Sequence, residues 1–148
     1  MNDKDENKEN TFEPSLIGFF CNWCTATAAD LAGTSRYQYP ANIRPVRVMC
    51  SGSVDMVYIL HALVNGADGV IIGGCYPGEC HYVSGNLKTR RRVAVLKTIL
   101  STLGLDDDRV RVKWISAAQG YQFAATMREF TEDMRKKGPN PLKFRWDT

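Results

Sequence analysis

The stretch that decides the fold runs from Gly69 to Gly74 and reads Gly-Val-Ile-Ile-Gly-Gly, followed at once by Cys75. A short run that is apolar at every position is typical of a strand buried on both faces, as in a parallel sheet. Helix-like segments separate this run from its counterparts, so the sequence predicts successive β-α-β units. Two further apolar runs also end near a cysteine, namely residues 15–20 before Cys21 and residues 46–49 before Cys50.

Outward from this strand, the chain alternates between strand-like and helix-like segments. The segment 54–65 is apolar over most of its circumference, which predicts a buried helix, and residues 51–53 are expected to supply its N-cap. Residues 110–115 alternate apolar side chains with Arg111 and Lys113, as an edge strand does. This order predicts an α/β fold, a small flavodoxin-like or half-Rossmann parallel sheet of about four strands with helices on both faces. The predicted strands are 15–20, 46–50, 69–74 and 110–115, and the predicted helices begin after Cys21 and span 54–65, 85–103 and 119–137.

The composition is that of one globular domain, with 44% hydrophobic and 24% charged residues in a chain of 148. We expect a flexible acidic tail at 1–13, the domain at 14–138, and an extended C-terminal tail at 139–148 that carries Phe144 and Trp146. No apolar run approaches the roughly 20 residues that cross a bilayer, and the N-terminus lacks a secretory h-region, which favours the cytoplasm. The net charge is +3, and because residues 1–13 carry −3, the remainder carries +6. A moderately basic body suits an acidic partner surface, but no recognition helix or aromatic-basic motif points to nucleic acid.

The cysteines point to a metal or redox site. Their number, five, is odd, and nothing indicates an oxidising compartment, so a disulfide framework is not expected. Because the carboxyl ends of parallel strands meet at one edge of a sheet, the five sulfurs should gather there. The candidate ligands are Cys21 and Cys24 of a Cys-x-x-Cys pair, together with Cys50, Cys75 and Cys80.

Several cofactors and activities fit these thiols. Four thiolates can hold a 2Fe–2S or a 4Fe–4S cluster, or one zinc ion. The domain has enough core to fold without metal, and its sulfurs come from three distant strands, which favours iron–sulfur over structural zinc. Two alternatives remain: a thiol–disulfide oxidoreductase that uses Cys21 and Cys24, and a zinc-stabilised interaction module.

Other side chains are expected to play secondary roles. His61 is interpreted as a packed histidine within its helix, and His81, beside Cys80, as a candidate to contact a cluster. Trp23 is expected at the cluster edge, as a shield against water or as an interface anchor. We identify no Ser/His/Asp set and no paired carboxylates that would form a complete catalytic site. One helix carries a basic run, interpreted as a solvated face or a docking site, that comprises Lys88, Arg90, Arg91, Arg92 and Lys97.

Three cysteine motifs occur together in this chain. They are Phe-Phe-Cys-Asn-Trp-Cys at 19–24, Arg-Val-Met-Cys-Ser-Gly at 47–52 and Gly-Gly-Cys-Tyr-Pro-Gly-Glu-Cys-His-Tyr at 73–82. In this combination the sequence strongly resembles the delta subunit of the methyl-viologen-reducing [NiFe] hydrogenase of methanogenic archaea. The resemblance extends over residues 13 to about 138.

The resemblance implies a non-catalytic electron-transfer subunit with a 2Fe–2S cluster, working inside a cytoplasmic hetero-oligomeric oxidoreductase complex. The implied electron donor is the [NiFe] hydrogenase with its small and large subunits, or a formate dehydrogenase. The implied acceptor is the FAD-bearing A subunit of heterodisulfide reductase, where electron bifurcation serves methanogenesis. The family's cysteines match Cys21, Cys24, Cys50, Cys75 and Cys80. Among these five we favour Cys24, Cys50, Cys75 and Cys80 as the cluster ligands, with Cys21 as the alternative ligand.

Overall fold

A computed structural model describes residues 12–142 of the chain and confirms an α/β fold. Four strands and four helices alternate along the described residues. The strands are β1 (Leu16–Cys21), β2 (Ile43–Val48), β3 (Gly69–Gly74) and β4 (Val110–Trp114), and the helices are α1 (Thr25–Thr34), α2 (Met56–Val64), α3 (Gly85–Thr102) and α4 (Gly120–Lys137). A short 3₁₀ turn at Ser51–Ser53 lies between β2 and α2, and another at Asp107–Arg109 lies between α3 and β4.

The four strands form one parallel sheet in the order β2-β1-β3-β4. Phe20, near the end of β1, pairs with Arg47 of β2 on one side and with Gly73 of β3 on the other. The three strands that precede the cysteines are therefore neighbours and end at nearly the same level. This register is what brings distant cysteines to one edge of the sheet.

Helices cover both faces of the sheet. One face buries Leu16, Phe20 and Ile71 against α1 and α4, and the other buries Phe19 and Ile72 against α2 and α3. The expected apolar stripe of α4 is fully buried and consists of Phe123, Met127, Phe130 and Met134. The predicted arrangement of helices on both faces is confirmed.

The prediction that the second helix is buried is wrong. Only Ile59 and Leu63 of α2 are buried, whereas Val57 and Tyr58 are 64% and 55% exposed. The helix packs on the sheet along one stripe, and its remaining apolar side chains face outward. Its N-cap is also not in residues 51–53, because the side chain of Asp55 accepts the hydrogen bond of the Val57 backbone N–H at 2.9 Å.

The second strand begins earlier than expected, at Ile43, and ends at Val48. It therefore includes Pro45, which pairs with Gly18 of β1. Proline is tolerated here because β2 is an edge strand, where one side of the backbone has no neighbour to which an N–H must donate. Excluding Pro45 from the predicted strand produced the error.

The chain after α4 is tied to the domain by Asn140, which is buried. Its side-chain amide donates to the carbonyls of Leu63 and Ala67 at 2.9 and 2.8 Å, and its backbone N–H donates to Asp68 at 2.9 Å. Most of the expected acidic tail, residues 1–11, lies outside the described residues, as do Phe144 and Trp146. None of the described helices is both long and apolar enough to cross a membrane.

Candidate metal centre

Three of the five thiols form a tight, buried group, called here the thiol triad: Cys21, Cys24 and Cys75. Cys21 ends β1, Cys75 directly follows β3, and their Sγ atoms lie 3.8 Å apart. All three sulfurs lie within 4.8 Å of one another. The triad is therefore assembled from two neighbouring strand ends and the turn between β1 and α1.

A glycine in β3 allows the triad to close. A Cβ added to Gly73 would lie 2.3 Å from Cγ2 of Thr25, the first residue of α1. Only a residue without a side chain lets α1 begin this close to β3. Cys24, the residue before α1, is thereby held next to Cys75.

The two remaining thiols, Cys50 and Cys80, form the thiol pair, with Sγ atoms 3.9 Å apart. Cys50 lies two residues after β2, and Cys80 lies in the loop between β3 and α3. The backbone N–H of Gly52 donates to Sγ of Cys50 at 3.3 Å. Each sulfur of the pair is thus supplied by a different loop at the same sheet edge as the triad.

Two glycines and one arginine hold these two loops together. A Cβ on Gly85 would lie 2.3 Å from Sγ of Cys50, and a Cβ on Gly52 would lie 2.7 Å from Cα of Gly85. Arg92 of α3 donates from Nη1 to the carbonyls of Gly52 and Val54 at 3.0 and 2.6 Å. The turn that carries Cys50 is therefore clamped to the first turns of α3.

Arg92 was predicted to belong to a basic run that forms a solvated face or a docking site, and for Arg92 this is wrong, because its guanidinium donates to carbonyls within the chain. Sequence reasoning also missed Asn86, which is fully buried and donates to the carbonyls of Cys75 and Tyr76 at 2.8 and 2.9 Å. A buried asparagine at a helix start beside a cysteine loop was the available signal. Its contacts are long-range and could not be read from spacing.

Hydrogen bonds to the sulfur lower the pKa of one cysteine in each group. In the triad, the Cys24 thiol donates to the Cys21 sulfur and is the main cause that brings the pKa of Cys21 to about 5. The same bond, with burial, raises the pKa of Cys24 well above its usual range. In the pair, burial acts to raise the pKa of Cys80, but backbone N–H groups, those of Asn86 and Tyr82 first, outweigh it and lower the pKa.

The other two thiols ionise less readily, because burial raises the pKa values of both Cys50 and Cys75. The charge of Cys21 contributes to the shift at Cys50, so the triad and the pair are electrostatically linked. Thiolates are the form of cysteine that binds metals. A set of five thiols, four buried and Cys80 half-buried, with backbone N–H donors aimed at the sulfurs suits an iron–sulfur cluster.

An aromatic group lies beside the thiols at the open side of this edge. The rings of Trp23 and His81 stack with centroids 3.8 Å apart, and Nε1 of Trp23 donates to the hydroxyl of Tyr82 at 3.3 Å. A cleft of about 280 Å³ separates these rings from Ser116 and exposes Cys24 and Cys75 on its wall. Trp23 thus lies beside the thiols at this edge of the sheet, and its ring stacks on that of His81.

The structure distinguishes the two histidines from each other. His61 is exposed and lines a separate apolar cleft between α2 and the β1–β2 side of the sheet, so its interpretation as a packed histidine is wrong. In the described part of the chain, the grouped side chains that could hold a metal include no histidine. They are the thiol triad and the acidic residues Asp106, Asp107 and Asp108.

All five predicted cysteines lie at one sheet edge, but in two groups. The favoured ligand set of Cys24, Cys50, Cys75 and Cys80 takes two sulfurs from the triad and both sulfurs of the pair. Cys21, treated as the alternative ligand, lies inside the triad with a low pKa. The choice of ligands stays a prediction.

A family model and several known proteins match most of this chain. The family model described as methyl-viologen-reducing hydrogenase, delta subunit, matches residues 16–138. The iron-sulfur D subunit of an F420-non-reducing hydrogenase from Archaeoglobus profundus is 51% identical over 128 residues, which cover 86% of this chain and 93% of the relative. The vhc iron-sulfur D subunit of such a hydrogenase from Methanococcus voltae is 49% identical over 132 residues, 89% of this chain and 92% of the relative.

A second kind of relative is much longer. The A subunit of the ferredoxin/F(420)H(2)-dependent CoB-CoM heterodisulfide reductase of Methanosarcina acetivorans is 45% identical over 132 residues. The match covers 89% of this chain but only 17% of that protein. The resemblance inferred from the three cysteine motifs is confirmed.

Proposed function

Because the chain belongs to the family of methyl-viologen-reducing hydrogenase delta subunits, we propose that it is an iron–sulfur electron-transfer subunit that links a hydrogenase to heterodisulfide reductase. The observation that carries this function is the convergence of five thiols from three strand ends on one edge of the sheet. The role of the chain is to hold a redox centre between two partners.

The proposed centre is a 2Fe–2S cluster held by four of the five thiolates. Cys24, Cys50, Cys75 and Cys80 would bind it, and Cys21 is the alternative ligand. When bound, such a cluster accepts and releases one electron at a time. The N–H groups aimed at the sulfurs stabilise negative charge there, which favours the reduced state and raises the reduction potential.

The longer relatives support the choice of acceptor. In the Methanosarcina acetivorans protein, the part similar to this chain belongs to the same polypeptide as the rest of a heterodisulfide reductase A subunit. Domains that are fused in one polypeptide in a relative commonly bind each other as separate subunits in other members of the family. We therefore assign the role of acceptor to the FAD-bearing A subunit, and the role of donor to a [NiFe] hydrogenase, or a formate dehydrogenase in its place. Together they would form a hetero-oligomeric cytoplasmic complex that bifurcates electrons during methanogenesis.

A thiol–disulfide oxidoreductase is the second candidate, and one observation favours it. Cys21, with a lowered pKa, is hydrogen-bonded to Cys24 with a raised pKa, as in a dithiol that attacks disulfides. This enzyme would be colourless and would turn over a disulfide with a dithiol. A zinc-bound module would also be colourless, with one zinc per chain.

One anaerobic preparation separates these functions. Metal and sulfide analysis, the visible spectrum, and EPR after dithionite reduction should show two irons and two sulfides per chain and a signal of one unpaired electron. A colourless protein that reduces disulfides, or one that contains only zinc, would contradict the proposal. The matched control is the chain with all five cysteines replaced by serine, which should hold no iron.

A further inference from the structure

Exposed apolar side chains surround the thiols in a pattern set by the cysteine motifs. Trp23 lies between Cys21 and Cys24, Met49 precedes Cys50, and Tyr82 and Val83 follow Cys80. These four side chains, called here the docking rim, are Trp23 at 45%, Met49 at 61%, Tyr82 at 48% and Val83 at 83% exposure. Single exposed apolar residues need no explanation, but four beside the thiols at one sheet edge suggest a binding surface.

Val83 is held in a conformation that valine rarely adopts. Its φ angle is +72°, in the left-handed region, where a β-branched side chain is strained. Two hydrogen bonds shape this turn: the N–H of Val83 donates to the carbonyl of Cys80 at 3.0 Å, and the N–H of Ser84 donates to that of Tyr82 at 2.9 Å. The strain therefore presents an apolar side chain to solvent next to a thiol of the pair.

Exposed basic side chains extend from the docking rim along α3. Lys88, Arg90 and Arg91 are exposed, and none of them forms an ion pair within residues 12–142. Lys88 and Arg91 follow Ser84 at helical spacings of four and seven residues, so they share the face that starts beside Val83. Like charges on this face would oppose a symmetric contact with a second copy of the chain. The surface instead suits a partner with acidic groups.

From these observations we infer that the docking rim is the binding face for the electron-accepting A subunit. Val83 is the central anchor and fills an apolar recess of that subunit, while acidic residues around the recess face Lys88 and Arg91. This inference rests on the proposed function, and it adds which surface makes the contact and what chemistry the acceptor must present. A face beside the thiols also keeps the electron's path to the acceptor short.

The test measures binding by the full chain, purified anaerobically with its metal, to the heterodisulfide reductase A subunit of the same organism. Val83→Asn should raise Kd about tenfold or more, as loss of a central anchor does. Because asparagine tolerates the left-handed region, the same variant should unfold at a higher temperature than the wild type and keep its EPR signal. Stabilisation together with weaker binding is not expected from a merely structural residue.

A second variant tests the charges. Lys88→Glu combined with Arg91→Glu should slow association and reverse the salt dependence of binding. Matched controls are Leu103→Asn, an exposed apolar residue at the far end of α3, and Lys136→Glu, an exposed lysine at the end of α4. Both controls should bind like the wild type.

The outcomes separate the two proposals. If the wild type binds the A subunit but the Val83 and charge variants bind equally well, the docking rim is overturned and the proposed function stands. If wild-type protein that shows the expected EPR signal fails to bind the A subunit, the choice of acceptor fails, and the docking rim fails with it. Self-association of the wild type that Val83→Asn abolishes would show a second copy as the occupant and would also overturn the inference.

Discussion

Gly85 and Cys50 are in direct contact: a methyl group on the glycine Cα would lie 2.3 Å from the Sγ of the cysteine. The sulfur of Cys80 would lie 3.4 Å from the same methyl group. No side chain other than hydrogen fits between α3 and the thiol pair. The start of α3 thus acts as a wall that fixes where both sulfurs can lie.

Gly85→Ala is therefore expected to displace the Cys50 sulfur and to lower the iron content per chain. The backbone of α3 cannot easily yield, because Gly85 is itself packed against Gly52. Iron analysis and EPR of the purified variant measure the effect. Gly33→Ala is the matched control, since a methyl group there would meet nothing within 4 Å. It should keep its iron and gain about 0.5–1 kcal/mol in free energy of unfolding, as alanine replaces glycine within a helix.

Arg92 is expected to stabilise the turn that carries Cys50. Arg92→Ala removes the two hydrogen bonds that the guanidinium donates to the carbonyls of Gly52 and Val54. Hydrogen bonds from a charged donor contribute about 1.5–3 kcal/mol each to the free energy of unfolding. We expect a loss of about 2–4 kcal/mol in free energy of unfolding, since the two bonds share one guanidinium. Denaturant titration measures this loss.

The same variant should also change the EPR signal, because the turn that carries Cys50 is no longer fixed. Arg91→Ala, the neighbouring exposed arginine, is the control and should stay within about 0.5 kcal/mol of the wild type. An Arg92→Ala protein with unchanged stability would show that the clamp contributes nothing. An unchanged EPR signal would show that the turn holds Cys50 without it.

Particular elements show what the sequence could and could not reveal. Residues 69–74 and the stripe from Phe123 to Met134 were predictable, because a fully apolar strand and a helical repeat of large side chains each fit one environment. The burial of α2 was not predictable, since the hydrophobicity of a helix does not say which of its sides packs against the rest of the protein. The sheet edge shared by the cysteines followed from β-α-β order. Their division into a triad and a pair did not, because it depends on contacts such as Gly73 with Thr25.

Asn140 gives a prediction about where the folded unit ends. Asn140→Ala removes two bonds to the carbonyls of Leu63 and Ala67 and leaves these acceptors buried. The free energy of unfolding should fall by about 1–3 kcal/mol, the cost of unsatisfied buried groups. The exposed Asn65→Ala is a suitable control, with one side-chain bond to His61 at 2.8 Å. If Asn140→Ala is as stable as the wild type, the predicted domain boundary at residue 138 is supported instead.

The ligands can be identified by replacing each cysteine with serine and measuring iron per chain. We expect Cys24→Ser, Cys50→Ser, Cys75→Ser and Cys80→Ser each to lose most of the iron, since a 2Fe–2S cluster needs four protein ligands. Cys21→Ser should keep its iron but shift the reduction potential, because it replaces a sulfur that lies within 4.8 Å of the sulfurs of Cys24 and Cys75. Loss of iron in Cys21→Ser with retention in Cys24→Ser would instead make Cys21 the fourth ligand and Cys24 the spare thiol.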